Sequence, residues 1–184
     1  ADVDMQDAIT WDTVFHCLVT FSIHNPEEAL AIMDAILNGE ETKKWYRQKF
    51  NISEKYFNEK SVKEMQNYLL KLENIDGYTP ITLAAKLGAH SILGCLLHLE
   101  GVYKHTSFRF GMCTSSMYDM AEIDPAVGAL IRPGKPCILD LLIFNTDDDD
   151  LPSLSMQPIK GLMREKWKSF KKLHIIWGII HCFI

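Results

Sequence analysis

Asp76-Gly77-Tyr78-Thr79-Pro80-Ile81-Thr82-Leu83-Ala84-Ala85 is the stretch from which the fold is read. Gly77 permits a tight turn after Asn74-Ile75-Asp76. Thr79 offers a hydroxyl to the unbonded amides at a helix start, and Pro80 suits the first helical position, where no amide hydrogen is needed. Ala84 and Ala85 are small enough to let a second helix approach closely. Leu87-Gly88-Ala89-His90 then leads into a second short helix to Leu97. The segment 76–99 therefore predicts a helix–turn–helix.

This opening, with Gly77, Thr79, Pro80, Leu83, Ala84 and Ala85 in order, resembles that of an ankyrin repeat. There a Gly-x-Thr-Pro-Leu-His-x-Ala run makes a β-turn and starts a helix. Thr82 stands where that family usually has His, so one of its hydrogen bonds loses the usual donor. A second copy lies upstream in Trp11-Asp12-Thr13-Val14-Phe15-His16-Cys17-Leu18-Val19, which keeps Thr13 and His16 but has Val for Pro. Thr13 and Thr79 are 66 positions apart, twice the ~33-residue repeat period. Tyr46-Arg47-Gln48-Lys49-Phe50 fills the intermediate slot and matches nothing. The reading is two helical hairpins, 11–37 and 76–99, separated by a long finger insertion, 38–75. His16 is read as a repeat-stabilising histidine rather than a metal ligand or catalyst. Two repeats are fewer than the roughly three a stack needs, which predicts further repeats ahead of residue 1.

Within the first hairpin, Asn25-Pro26-Glu27-Glu28 opens a helix. Leu30, Met33, Ile36 and Leu37 share a face, and Asn38-Gly39 ends it. Residues 40–60 read as an extended, exposed loop carrying Trp45, Tyr46, Phe50, Tyr56 and Phe57. Ser61 with Glu64 forms a capping-box pattern for a helix along Val62, Met65, Leu69 and Leu72. Residues 106–120, with Phe108, Phe110 and Gly111, suit a β-hairpin packed on the second repeat. Met117, Tyr118 and Met120 are read as core. Ile138-Leu139-Asp140-Leu141-Leu142-Ile143-Phe144 is too short for periodicity to separate helix from strand, and 145–155 reads as loop.

The last quarter changes character. Between Pro158 and Lys172, six basic residues (Lys160, Arg164, Lys166, Lys168, Lys171, Lys172) meet one acid, Glu165, giving a net +5 in a chain of net −5. The apolar run 173–184 follows. A basic amphipathic helix feeding an apolar run looks like the cytosolic approach to a membrane span, yet twelve residues fall short of the ~20 a span requires. The chain also begins at Ala1 with no charged-then-apolar leader, and is read as part of a longer protein.

Composition narrows the function. With 47% apolar and 23% charged residues, a packed core is expected. The acidic balance argues against nucleic-acid binding. Cys17, Cys95, Cys113, Cys137 and Cys182 are scattered, so reduced thiols are expected rather than disulfides, a metal knuckle or a redox pair. Asp147-Asp148-Asp149-Asp150 lacks the turn glycine and distal acid of a calcium loop and reads as solvated linker. No nucleophile elbow, His-Glu-x-x-His or phosphate loop occurs. Neither catalysis, nor a metal, nor a cofactor is expected.

Taken in order, the pieces resemble the vanilloid-type transient receptor potential channel family over residues 10–184. The resemblance rests on the Thr13–Val19 repeat, the insertion, the Gly77–Ala85 repeat, and Phe108-x-Phe110-Gly111 with Ser115-Ser116-Met117-Tyr118-Asp119. It continues with Ile138-Leu139-Asp140-Leu141-Leu142, and with Pro158-Ile159-Lys160-Gly161-Leu162-Met163-Arg164-Glu165-Lys166-Trp167. Met112 stands where members often have Pro.

The resemblance implies a mainly α fold. Terminal ankyrin repeats would occupy 1–105, a linker domain 106–157, a basic helix 158–172, and the start of the first transmembrane helix 173–184. It implies a subunit of a homo- or hetero-tetrameric, calcium-permeable cation channel in the plasma or ciliary membrane, with 1–172 cytosolic. Phe108, Phe110, Gly111, Tyr118 and Asp119 would serve the linker and its subunit contact, and Lys166, Trp167, Lys171 and Lys172 would lie nearest the membrane. Calmodulin or anionic lipid are candidate partners of 158–172, against the plainer reading that its apolar face packs on the linker. The competing function is a soluble ankyrin adaptor whose last helix only touches membranes.

Overall fold

Thr13 and Thr79 each introduce a helix from an extended backbone conformation. The computed structural model describes residues 2–124, 137–144 and 151–182. The Asp147–Asp150 run falls outside them, as do the side chains of Lys172, Leu173 and residues 177–182. Helix α1 spans Val14–Phe21 and α2 Pro26–Asn38; α5 spans Pro80–Lys86 and α6 His90–Leu97. Between the pairs lie α3, Glu40–Lys49, and α4, Glu59–Leu70. Strands β1, Lys104–Phe110, and β2, Cys113–Tyr118, form an antiparallel hairpin. Helices α7, Ile138–Phe144, α8, Leu151–Ser155, and α9, Ile159–Cys182, complete the described chain.

The helix pairs stack in two rows. Helix α1 lies against α5 and α5 against α7; α2 lies against α6 and α6 against α8. Phe15, Val19, Ile81, Ala84, Ala85, Ile92, Leu93 and Leu142 have no exposed surface. Alanines at 84 and 85 are what permit α5 to be covered on both sides. The open question over 138–144 resolves as helix, and 151–155, expected as loop, is helical too. Together α7 and α8 give the two pairs a third layer.

The finger differs from its expected form. Residues 40–49 are helix, not loop. Acids Glu40 and Glu41 sit at the helix start and Arg47 and Lys49 at its end, favourably placed against the helix dipole. Tyr46 is buried and packs against Phe50 at 4.6 Å, while Phe50 meets Tyr68 of α4 edge-on at 5.4 Å. Gly39 ends α2 and at once precedes α3 in an extended conformation. The cap of α4 is Asn58, which accepts from Ser61 N–H at 3.1 Å, rather than Ser61 itself.

The hairpin also departs from expectation. Every residue from His105 to Ser115 is exposed, so the strands project from the stack instead of packing on it. Among the described residues the contacts lie towards the hairpin's root, where Thr106 N–H donates to Glu100 Oε1 at 2.6 Å, Tyr118 meets His98 edge-on at 6.2 Å and Asp119 N–H donates to Tyr103 C=O at 2.8 Å. Met117, read as core, is 60% exposed. Helix α9 runs from 159 to 182 without a break between its basic and apolar parts. Among the described residues no helix is long and apolar enough to cross a membrane.

Candidate interaction surface

His16 ties the first two helix pairs together. Its Nδ1 accepts from Thr13 N–H at 3.1 Å, which places the ring proton on Nε2, 2.9 Å from Tyr78 C=O. Burial pushes the His16 pKa below its ordinary 6.5, against the bond to Tyr78, which raises it. At the second pair Thr82 reproduces only the local half of this arrangement. Thr82 Oγ1 accepts from Thr79 N–H at 2.8 Å, but a threonine is too short to reach the next layer. A carboxylate reaches back instead: Thr79 Oγ1 donates to Glu122 Oε2 at 2.5 Å. Gly77, at φ +77°, holds the turn that aims Tyr78 C=O at His16.

Glu122 belongs to a junction that sequence reading missed. Lys71, the residue capping the end of α4, lies 2.5 Å from Glu122 Oε1, 3.2 Å from Asp119 Oδ2 and 4.4 Å from the centre of the Tyr103 ring. Tyr103 is buried, with its hydroxyl donating to Leu70 C=O at 3.4 Å. Burial raises the Asp119 pKa, but the Ala121 amide and Lys71 outweigh it and hold the carboxyl below its ordinary 3.8. Asp119, expected to serve the linker and its subunit contact, is partly exposed and bonds Lys71 of the finger. No local pattern in the sequence marks Lys71; its partners are 48 and 51 positions away.

The hairpin tip is the opposite case. Phe108 and Phe110 stack with ring centres 6.3 Å apart and 12° between planes, and are 57% and 75% exposed. Met112 beyond them is fully exposed, and Gly111, at φ +56°, has open space around it. Two stacked phenyl rings on a projecting hairpin offer a partner a rigid apolar contact.

On α9, Ile159 is buried and Leu162 packs against the core, but Met163 is 37% and Trp167 and Phe170 each 61% exposed. The apolar face rests on the linker only over its first turn; the rest stays uncovered. Lys166 pairs with Asp124 at 2.7 Å, and Lys168 pairs with Glu165 within the helix at 2.6 Å. Lys160, Arg164, Lys168 and Lys171 are exposed. Beyond Lys171, Ile175 and Ile176 are about half exposed.

His90 Nδ1 lies 2.5 Å from Ser153 Oγ, but Ser153 has no exposed surface for a substrate to reach. Cys17, Cys95, Cys113 and Cys137 are free thiols, and the described residues contain no cluster of His, Cys, Asp and Glu able to hold a metal ion.

The described residues form a mainly helical stack of helix pairs that presents a hairpin and a long basic helix. The chain's sequence is similar to cation channels. It is 31% identical over 97 residues to the Homo sapiens transient receptor potential cation channel subfamily V member 6, and 28% identical over 106 residues to member 4 from the same organism. Each of these alignments covers 53% of this chain and 12% of the relative. Member 1 of Cavia porcellus is 27% identical over 127 residues, 62% of this chain and 14% of that one. The chain thus spans about one eighth of the length of these relatives, which are cation channels. No protein-family model matches.

Proposed function

We propose that this chain is the membrane-proximal cytosolic part of a calcium-permeable, non-selective cation channel subunit. Its role is in tetramer assembly and in coupling ankyrin-type repeats to the pore. The observation that carries the reading is α9: one helix in which a basic segment passes without interruption into an apolar run, directly after a repeat stack and a projecting hairpin. That order matches the resemblance described above, and the sequence similarity to subfamily V channels supports it. Phe108 and Phe110 would meet a neighbouring subunit, homomeric or heteromeric. Trp167 with the lysines would sit at the cytosolic face of the plasma or ciliary membrane, where anionic lipid or calmodulin competes for the same basic face.

Assembly is the test. The parent subunit is expressed with and without residues 105–117 and cross-linked in membranes. Tetramers lost on deletion, with the repeats still folded, support the reading. Full tetramer yield removes the subunit-contact role. A parent chain recovered in the soluble fraction favours the adaptor whose last helix only touches membranes.

A further inference from the structure

Within the segment 119–124, the acidic side chains bond three separate parts of the molecule. Asp119 and Glu122 hold Lys71 at the end of the finger helix; Glu122 also accepts from Thr79 at the start of the second repeat. Asp124, two residues on, pairs with Lys166 of α9 at 2.7 Å. Backbone bonds fix the turn between these contacts: Ile123 and Asp124 N–H donate to Met120 C=O, and Ile138 and Leu139 N–H donate to Glu122 and Ile123 C=O. Ile123 itself has no exposed surface. Glu122, Asp124 and Lys71 keep only 17%, 19% and 26% of their side-chain surface in solvent. Such pairs are less screened than surface ones, and losing one partner leaves a half-buried charge behind.

We propose that this acidic turn is a three-way electrostatic relay through which the finger and second repeat set the angle of α9. Among the described side chains the helix is held at two places, by Ile159 and Leu162 in its first turn and by Lys166 at the end of its second. After Lys166 its described side chains are exposed, from Trp167 to Lys171 and from His174 to Ile176. At 1.5 Å rise per residue, Lys166 is about 10 Å and Cys182 about 35 Å from Ile159. A shift of Asp124 against the first turn is therefore magnified about threefold at the far end. Lys71 and Lys166 do not touch, yet both are anchored on one short, internally bonded turn. Displacing the turn at one end must move or strain the other. The relay rests on contacts within this chain and stands or falls apart from the channel reading.

Hydrogen exchange of the 184-residue chain, followed by mass spectrometry, tests it. Lys71→Met and Glu122→Gln are compared with wild type, with Lys44→Met as an exposed-lysine control. Expected is at least a threefold faster exchange of amides 163–169 in both variants, with the α1–α2 pair unchanged and the control at wild-type rates. Lys166→Met should accelerate the same amides, and adding Lys71→Met to it should add little there, because the anchor is already gone. Exchange at 163–169 that stays at the wild-type rate in Glu122→Gln overturns the relay. So does acceleration spread evenly over the whole chain, or effects of Lys71→Met and Lys166→Met that simply multiply in the double variant.

Discussion

His16 Nε2 donates to the carbonyl oxygen of Tyr78 at 2.9 Å, so a ring on α1 is bonded to the turn that starts the next helix pair, 62 positions away. The same carbonyl accepts from Asn74 N–H at 2.9 Å, and Asn74 Oδ1 accepts from Tyr78 N–H at 3.0 Å. The turn is thus shaped locally by Asn74 and Gly77 and docked remotely by His16.

His16→Ala should destabilise the chain by about 2–3 kcal/mol. It removes a buried hydrogen bond and leaves Thr13 N–H without its acceptor. Urea unfolding checks this: the midpoint falls while the denaturant slope stays at the wild-type value. A loss under half a kcal/mol would mean that the inter-pair bond contributes nothing net.

Stability should depend on pH in two separate windows. The folded-state pKa of His16 lies below its ordinary 6.5, so near that pH the unfolded chain binds more protons, and stability falls as pH drops through 6.5. Asp119 is held below 3.8; its contribution is present above that value and is lost as pH falls further. Thermal unfolding across pH 7.5 to 5 should show the first decline in the wild type and a weaker one in His16→Ala.

Thr79→Ala should cost about 1–2 kcal/mol, more than an exposed cap, because the hydroxyl serves both the helix start and Glu122. Thr79→Ser, which keeps the oxygen, should recover most of the loss. Equal losses for the two variants would assign the effect to the missing methyl group and not to the hydrogen bond.

Phe108→Ser with Phe110→Ser should leave stability within about 0.5 kcal/mol of wild type, since both rings are largely exposed. Calorimetry checks the stability; cross-linking of the parent subunit checks the contact. A large drop in melting temperature would place these rings in the fold's own packing.

Trp167 should report on membrane contact. Adding vesicles with an anionic lipid should shift the emission of the wild type to the blue and leave the double variant Trp167→Phe with Trp177→Phe, which lacks both tryptophans of α9, nearly unshifted, the difference shrinking as salt is raised. Equal shifts in both proteins would exclude α9 as the contact.

Short-range chemistry made much of this chain legible. The pattern around Gly77, Thr79 and Pro80 determines where α5 begins because turn, cap and first-position proline act within four residues. Ala84 and Ala85 indicate close approach, and they are wholly buried. The alternation around Gly111 marks the hairpin. Residues 40–49 were not legible as helix because no apolar period runs through them; the helix is held by Tyr46 and Phe50 packing on Tyr68, about twenty positions later. That α7 and α8 provide a third layer, that the strands stand clear of the stack, and that Lys71, Glu122, Asp124 and Lys166 meet on one turn are matters of tertiary structure alone. The contacts of that turn join groups 51 positions apart at Lys71 and Glu122, brought together only when helix faces are buried, and no local propensity or spacing records where such partners fall.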